Sequence, residues 1–186
     1  MNTTSVADLA WLAGIMDGEG SIFIMKQSRK DRERAFNYIL RISVQSTDGV
    51  MAKECLKISG EGACFDAPTT KENNSNTYKW QVSGKRACHV LENLLPFLRV
   101  KKQQAMSAIE FQKTTKKHWR QMTVEDYQQQ EAAYYLLKQQ KVDLKIGKDT
   151  LGYLTTNTIQ KTDSDFRTEL SQIKFSEHHP IYITKD

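Results

Sequence analysis

The sequence predicts an α+β fold built on an antiparallel sheet, with elements in the order helix, two strands, helix, two strands, then helices. Apolar residues recur at helical intervals behind capping residues in the segments that begin near Ser5 and Asp48. They recur at every second position in residues 37–45 and 77–83. Glycines then order the elements, because Gly18 and Gly20, and later Gly60 and Gly62, end the first two helical patterns just before a strand-like run.

The first helix is expected over residues 5–17. Ser5 and Asp8 have the spacing of a capping box, and Val6, Leu9, Leu12 and Ile15 or Met16 follow at helical spacing. Ala10, Ala13 and Gly14 form a stripe of small side chains, which lets a second helix approach almost to backbone contact. Residues 21–27 read as a strand, although Ile22, Phe23, Ile24 and Met25 are all apolar and blur its alternation. A loop rich in Arg, Lys, Asp and Glu leads, as a hairpin tip, to a strand over 37–45. There Tyr38, Leu40, Ile42 and Val44 fall on one face, and Asn37, Ile39, Arg41, Ser43 and Gln45 on the other. Asp48 caps a helix running to Ile58. Strands over 63–67 and 77–83 flank a loop of Pro, Thr, Lys and Asn. In the second of these Tyr78, Trp80 and Val82 are apolar while Thr77, Lys79, Gln81 and Ser83 are polar, so the strand offers a wet, hydrogen-bonding face. Helices are expected over 86–95, 101–114 and 123–141. From Gly147 onward the pattern weakens, with a helix over 163–173 and a short strand over 181–183 as the expected elements.

A chain of 186 residues with 39% hydrophobic content can bury one good core, and its length suits one domain or at most two. No apolar run reaches the roughly 18 residues of a membrane span. The N-terminus shows no basic region followed by an apolar stretch and a cleavage site, so a soluble, intracellular protein without a membrane partner is expected. Cys55, Cys64 and Cys88 are odd in number and lack C-x-x-C spacing, which points to reduced, mostly buried thiols. His89, His118, His178 and His179 show no metal-ligand spacing with them, and the His178–His179 pair reads as surface or packing. The net charge of +5 and pI of about 9.0 are compatible with nucleic acid. Distribution says more: Lys26, Arg29, Lys30, Arg32 and Arg34 form one basic cluster, Arg99, Lys101 and Lys102 a second, and Lys113, Lys116, Lys117 and Arg120 a third. Such clusters fit a surface that tracks phosphates.

The string Leu12-Ala13-Gly14-Ile15-Met16-Asp17-Gly18-Glu19-Gly20 joins the small-faced helix to a turn with two acids. A tightly packed helix pair would bring two copies of those acids together, and clustered carboxylates are the usual ligands of a hard divalent cation such as Mg²⁺. The string resembles the signature of the LAGLIDADG homing endonucleases. It matches at Leu12, Ala13, Gly14, Asp17 and Gly20, with conservative changes at Ile15, Met16 and Glu19 and a small residue at Gly18. The resemblance covers about the first 115 residues. It implies an αββαββα unit whose curved antiparallel sheet lies in the DNA major groove, with the motif helix at a dimer interface. On that reading residues 1–145 form the homing endonuclease domain with its C-terminal helices, and 146–186 a C-terminal extension.

Only one copy of the string is present; neither Leu91-Glu92-Asn93-Leu94-Leu95 nor Tyr134-Tyr135-Leu136-Leu137 repeats it. Single-motif members of the resembling family are homodimers, which implies pairing through Ala10, Ala13, Gly14 and Asp17 and a pseudo-palindromic target. Glu19 takes the position of the metal-binding acid, where Asp is commoner, and the Gly18 carbonyl adds a ligand. Asp17 orients the turn or caps the partner helix. Lys101 matches a basic residue that supports the active site, with a plain phosphate contact as its other reading. Gln45 or Ser46 matches a polar residue that organises solvent. The implied mechanism is Mg²⁺-dependent phosphodiester hydrolysis by water, with no protein nucleophile.

Base readout is expected from Arg41, Ser43, Thr77, Lys79 and Gln81, joined by Gln27 and Arg29, with Arg pairing to guanine and Gln to adenine. Lys113, Lys116 and Lys117 are expected on phosphates. The resemblance thus implies an intron-encoded, homodimeric homing endonuclease that makes double-strand breaks in a long DNA site. The alternatives are an RNA splicing cofactor (maturase) that binds intron RNA, or a non-cleaving DNA-binding regulator; the intact acidic turn favours cleavage.

Overall fold

The computed structural model describes residues 4–28, 36–67, 76–115 and 122–146. Its elements follow in the order α1 (Val6–Gly18), β1 (Gly20–Ser28), β2 (Phe36–Ser46), α2 (Gly49–Ser59), β3 (Ala63–Ala67), β4 (Thr77–Ser83), α3 (Gly84–Leu94), α4 (Lys102–Thr114) and α5 (Val124–Ile146). The four strands form one antiparallel sheet in the order β1-β2-β4-β3. This is the expected α+β arrangement. The helix over 163–173, the strand over 181–183 and, apart from Ile146, the C-terminal extension lie outside the described residues.

Local chemistry places the ends of the helices. At the start of α1 the Ser5 hydroxyl accepts the Asp8 N–H at 3.1 Å while the Asp8 carboxylate accepts the Ser5 N–H at 3.2 Å. These bonds hold the Asp8 carboxyl below its ordinary range, so the cap is intact at neutral pH and weakens as pH falls through that lowered value. Asp48 accepts the Val50 N–H at 2.8 Å to start α2, and Gly60 ends it in the left-handed region at φ 65°.

The core lies on one face of the sheet. Leu40, Ile42 and Val44 of β2 are buried, and Ile42 and Val44 stand opposite Val82 and Trp80 of β4. Helices α2 and α3 pack on β4, and α1 packs on α2 and α3. They contribute buried Leu12, Ala13 and Met16 from α1, Cys55 from α2 and Leu91 and Leu94 from α3. The indole N–H of buried Trp80 donates to the Glu61 carbonyl at 2.9 Å, so the largest core side chain leaves no polar atom stranded. Tyr78 departs from its strand's pattern: it is exposed at the start of β4, its ring against Gly49. In β1, Ile22 and Ile24 are buried while Phe23 and Met25 are half-buried, so the alternation hidden by four apolar residues is present in burial.

The described residues fall into two compact units. The first takes residues up to Phe23 with Leu40–Lys113; the second takes Ile24–Ile39 with residues from Thr114 onward, including α5. All three cysteines are free, Cys55 and Cys88 buried and Cys64 half-buried. Burial pushes the Cys55 thiol up to about 12 and the Cys88 thiol up to about 11, which keeps both protonated and inert. No described helix is long and apolar enough to cross a membrane.

Between α1 and β1 the chain doubles back so closely that a Cβ on Gly20 would stand 2.6 Å from the Met16 carbonyl oxygen and 2.7 Å from the Met16 Cα. Backbone atoms cannot yield as a side chain can, so the position requires glycine. Gly20→Ala is expected to destabilise the protein by about 2 kcal/mol. The check is a lowered urea midpoint at unchanged slope, and a wild-type midpoint would show that the turn has slack.

Candidate metal and nucleic-acid site

The end of α1 carries two acids, and the structure uses them differently. One Asp17 carboxylate oxygen accepts the backbone N–H groups of Arg99 at 2.8 Å and Val100 at 3.1 Å, and the other accepts that of Lys101 at 2.8 Å. Lys101 in turn is the N-cap of α4, its carbonyl accepting the Ala105 N–H at 2.9 Å. Its ammonium returns to α1, donating to the Met16 carbonyl at 2.9 Å and to the Asp17 carbonyl. Those carbonyls end a helix, where unpaired acceptors and the negative end of the dipole favour a cation. Asp17, expected at the turn or on a partner helix, thus ties the turn to the start of α4 within its own chain.

Glu19 closes α1 with its N–H on the Ile15 carbonyl at 2.8 Å, and both Glu19 and Gly18 are exposed. With the Asp17 oxygens engaged by backbone donors, the turn offers one carboxylate and the adjacent Gly18 carbonyl. Among the described residues no three His, Cys, Asp or Glu side chains come together as a metal cluster. The donors nonetheless fit Mg²⁺ in kind: it takes hard oxygens, with one or two carboxylates and the remainder from water and phosphate.

The exposed ridge of α1 leads to this turn. Ala10, Gly14 and Gly18 are exposed, and Trp11 at 41% and Val6 at 70% are apolar side chains facing out beside them. Ala13, expected on the same stripe, is buried within the chain. A helix turns about 100° per residue, so position 13 falls towards the arc of Leu12 and Met16 and the exposed stripe is narrower than the small-residue pattern suggests.

The polar sheet face forms as the alternation predicts. Arg41, Ser43 and Gln45 of β2 stand opposite Ser83, Gln81 and Lys79 of β4. Gln81, Lys79 and Thr77 stand opposite Ala63, Phe65 and Ala67 of β3. Arg41 donates to the Ser83 hydroxyl at 3.3 Å. Gln45 donates to the Thr77 hydroxyl at 2.8 Å, which itself donates to the Ala67 carbonyl at 3.0 Å, a chain across three strands. Ser43 is only 6% exposed. Since β1 and β2 are antiparallel neighbours, the end of β2 lies at the same end of the sheet as the start of β1, beside the acidic turn. Of the two residues there, Gln45 is exposed on the polar face, whereas the Ser46 hydroxyl accepts the Asp48 N–H at 3.0 Å and serves the turn into α2.

Gln27 is exposed on β1, and Lys113 lies 3.4 Å from Glu110 with its side chain 55% exposed. Arg29, Lys116 and Lys117 lie outside the described residues. Phe65 is a residue of the candidate face that the sequence does not announce; it is an exposed aromatic ring opposite Lys79. The signal for it was the parity of residues 63–67, which is weak in so short a strand.

No protein-family model and no curated protein matches the chain. Solved structures do. The homing endonuclease I-CvuI, in complex with the I-CreI target, superposes with a TM-score of 0.55 at 23% identity, covering 90% of this chain and 96% of its own. The archaeal intron-encoded homing endonuclease I-Vdi141I, complexed with DNA, gives 0.61 at 15% identity, over 89% and 93%. The LAGLIDADG homing endonuclease I-SmaMI, bound to cleaved DNA, gives 0.52 at 17% identity, over 72% and 45%. The chain has the LAGLIDADG homing endonuclease fold.

Within this homing endonuclease fold the string that resembles the signature is α1 and the turn after it, and Asp17 is the residue that anchors the turn. Asp17→Ala removes the acceptor of three backbone donors at once. It is expected to cost about 2–3 kcal/mol, with Asp17→Asn intermediate, measured by thermal unfolding. Equal melting of all three proteins would remove the anchoring role.

Proposed function

We propose that the protein is a homodimeric, Mg²⁺-dependent DNA endonuclease that makes double-strand breaks in a long pseudo-palindromic site. The observation that carries this reading is the exposed Glu19, the acid left to chemistry once Asp17 is bound into the fold, placed at the end of an exposed small-residue ridge. The sheet face beside it and the fold shared with DNA-bound endonucleases support duplex DNA as the substrate.

Two copies paired along Ala10, Gly14 and Gly18 bring two Glu19 side chains to one axis, one for each strand of the duplex. Glu19 and the Gly18 carbonyl hold Mg²⁺, which when bound supplies positive charge to the scissile phosphate and its leaving oxygen. Lys101, tethered to the carbonyls of α1, adds fixed positive charge beside the turn. Gln45, the exposed member of the Gln45–Ser46 pair, orders solvent at the edge of the site. Arg41, Lys79 and Gln81, with Gln27 and Thr77, face the bases, buried Ser43 dropping out of that set, while Lys113 contacts phosphate; Arg29, Lys116 and Lys117 join them on sequence grounds. Residues 1–145 carry this activity, and an intron-encoded origin follows from the same resemblance.

Purified protein is expected to cut a randomised duplex library only when Mg²⁺ is added, with breaks at one pseudo-palindromic site. Glu19→Gln should bind that site with unchanged affinity and cut it about a thousandfold more slowly, the equivalent of about 4 kcal/mol. Binding without breaks by the wild type would leave a DNA-binding regulator, and preference for structured RNA a splicing cofactor.

Pairing along α1 has its own check. A Cβ on Gly14 meets nothing within 4 Å inside the chain, so Gly14→Leu should fold normally. Sedimentation is expected to give the mass of two chains for the wild type and one for the variant. A dimeric Gly14→Leu would place the interface elsewhere.

A further inference from the structure

The second unit holds a cation site that the chain fills itself. Lys26 lies on the buried parity of β1 with Ile22 and Ile24, and its side chain is only 14% exposed. Its ammonium stands 4.3 Å from the centre of the Phe36 ring, 5.6 Å from Tyr38, and 5.8 Å from each of Tyr134 and Tyr135. It donates to the Glu131 carboxylate at 2.6 Å, and the Tyr38 hydroxyl donates to the same oxygen at 3.1 Å. Tyr38 and Tyr134 are tilted together at 5.9 Å, and Tyr134 and Tyr135 meet edge to face at 5.1 Å. Burial and the Glu131 charge push the Tyr38 hydroxyl far above the ordinary phenol range, so it remains a donor to Glu131.

A lysine that tracks phosphates keeps its ammonium in water, so Lys26 does not belong to the basic surface cluster in which its sequence neighbours place it. Four rings within cation–π range and a carboxylate replace its lost hydration. The groups come from three elements: Lys26 from β1, Phe36 and Tyr38 from β2, and Glu131, Tyr134 and Tyr135 from α5. A charge-assisted bond is directional where apolar packing is not, so it fixes position 26 in angle as well as depth. Side chains alternate along a strand, so fixing Lys26 on one face sets where Gln27 stands on the other.

We propose that the Lys26 cage is a positioning device for DNA recognition, by which α5 holds the β1–β2 hairpin and sets the base preference read by Gln27. This rests on the DNA-binding reading above. Gln27 is the reading residue; Lys26 and Glu131 act through it.

The test uses the full chain and equilibrium binding to its selected duplex site and to every single-base substitution of it. Gln27→Ala defines the hairpin positions as those where preference flattens. Lys26→Met and Glu131→Gln are expected to flatten preference at those same positions by about tenfold and to leave the others within about twofold. Lys26→Arg, which keeps the cation, should restore most of it. Glu131→Gln keeps the shape and an acceptor oxygen, so it decides the matter if Lys26→Met does not fold. Unchanged preference, or an equal loss at every position, would overturn the positioning role while leaving DNA recognition standing. A wild type that selects no DNA site would overturn both.

Discussion

Asp17 and Lys101 exchange hydrogen bonds in both directions across a separation of 84 residues in the chain. The carboxylate takes the backbone donors ahead of α4, and the ammonium takes the backbone acceptors that end α1. The Lys101 N–H and the two α1 carbonyls are groups a helix terminus leaves unpaired, the Arg99 and Val100 N–H groups belong to the turn ahead of α4, and any of them buried or half-buried without a partner costs as much as a lost hydrogen bond. The clasp therefore satisfies two helix ends with two side chains. Gly18, Glu19 and Gly20 follow at once, so the placement of the acidic turn, and with it the start of the sheet, depends on this one exchange.

The two acids of the turn show how position decides chemistry. Asp17 is surrounded by backbone N–H groups and has its oxygens occupied, whereas Glu19, two residues further, faces solvent. A carboxylate that accepts three backbone donors is held as structure, because surrendering those bonds to a metal would strand the donors. What each chain offers a hard cation is then one carboxylate and one carbonyl. A reaction on both strands of a duplex needs that set twice, which makes pairing of two chains a chemical requirement of the proposed activity and not an added property of it.

Periodicity made the fold legible. The strand over 77–83 stands where its alternation places it, the strand over 63–67 stands where it is expected after the glycines that end α2, and the caps at Ser5 and Asp48 are the ones their side chains announce. Contacts distant in sequence were not legible. Nothing near Asp17 names residues 99–101 as its partners, and nothing near Lys26 names Glu131, 105 residues away, so a lysine among basic neighbours reads as surface. Ser43 has the parity of the wet face and is nonetheless buried, because parity gives a side chain's direction and neighbouring strands decide how much water reaches it. Phe65 was obscured by the opposite problem, an apolar residue on a face read as polar.

On the proposed reading of the sheet face as a DNA-recognition surface, the separation of faces bears on how the chain changes target without losing its fold. Even-numbered positions of β2 and β4 hold the core, through Leu40, Ile42, Val44, Trp80 and Val82, and odd-numbered positions carry the polar face. A substitution at Lys79 or Gln81 alters what the face presents and leaves the packing beneath it alone. The separation is incomplete at two places. Arg41 shares a bond with Ser83, and Gln45, Thr77 and the Ala67 carbonyl form one chain, so changing one member releases the others. Altered recognition at those positions therefore requires paired substitutions, whereas Lys79 and Gln81 can change singly, which makes the middle of β4 the part of the face freest to follow a new sequence.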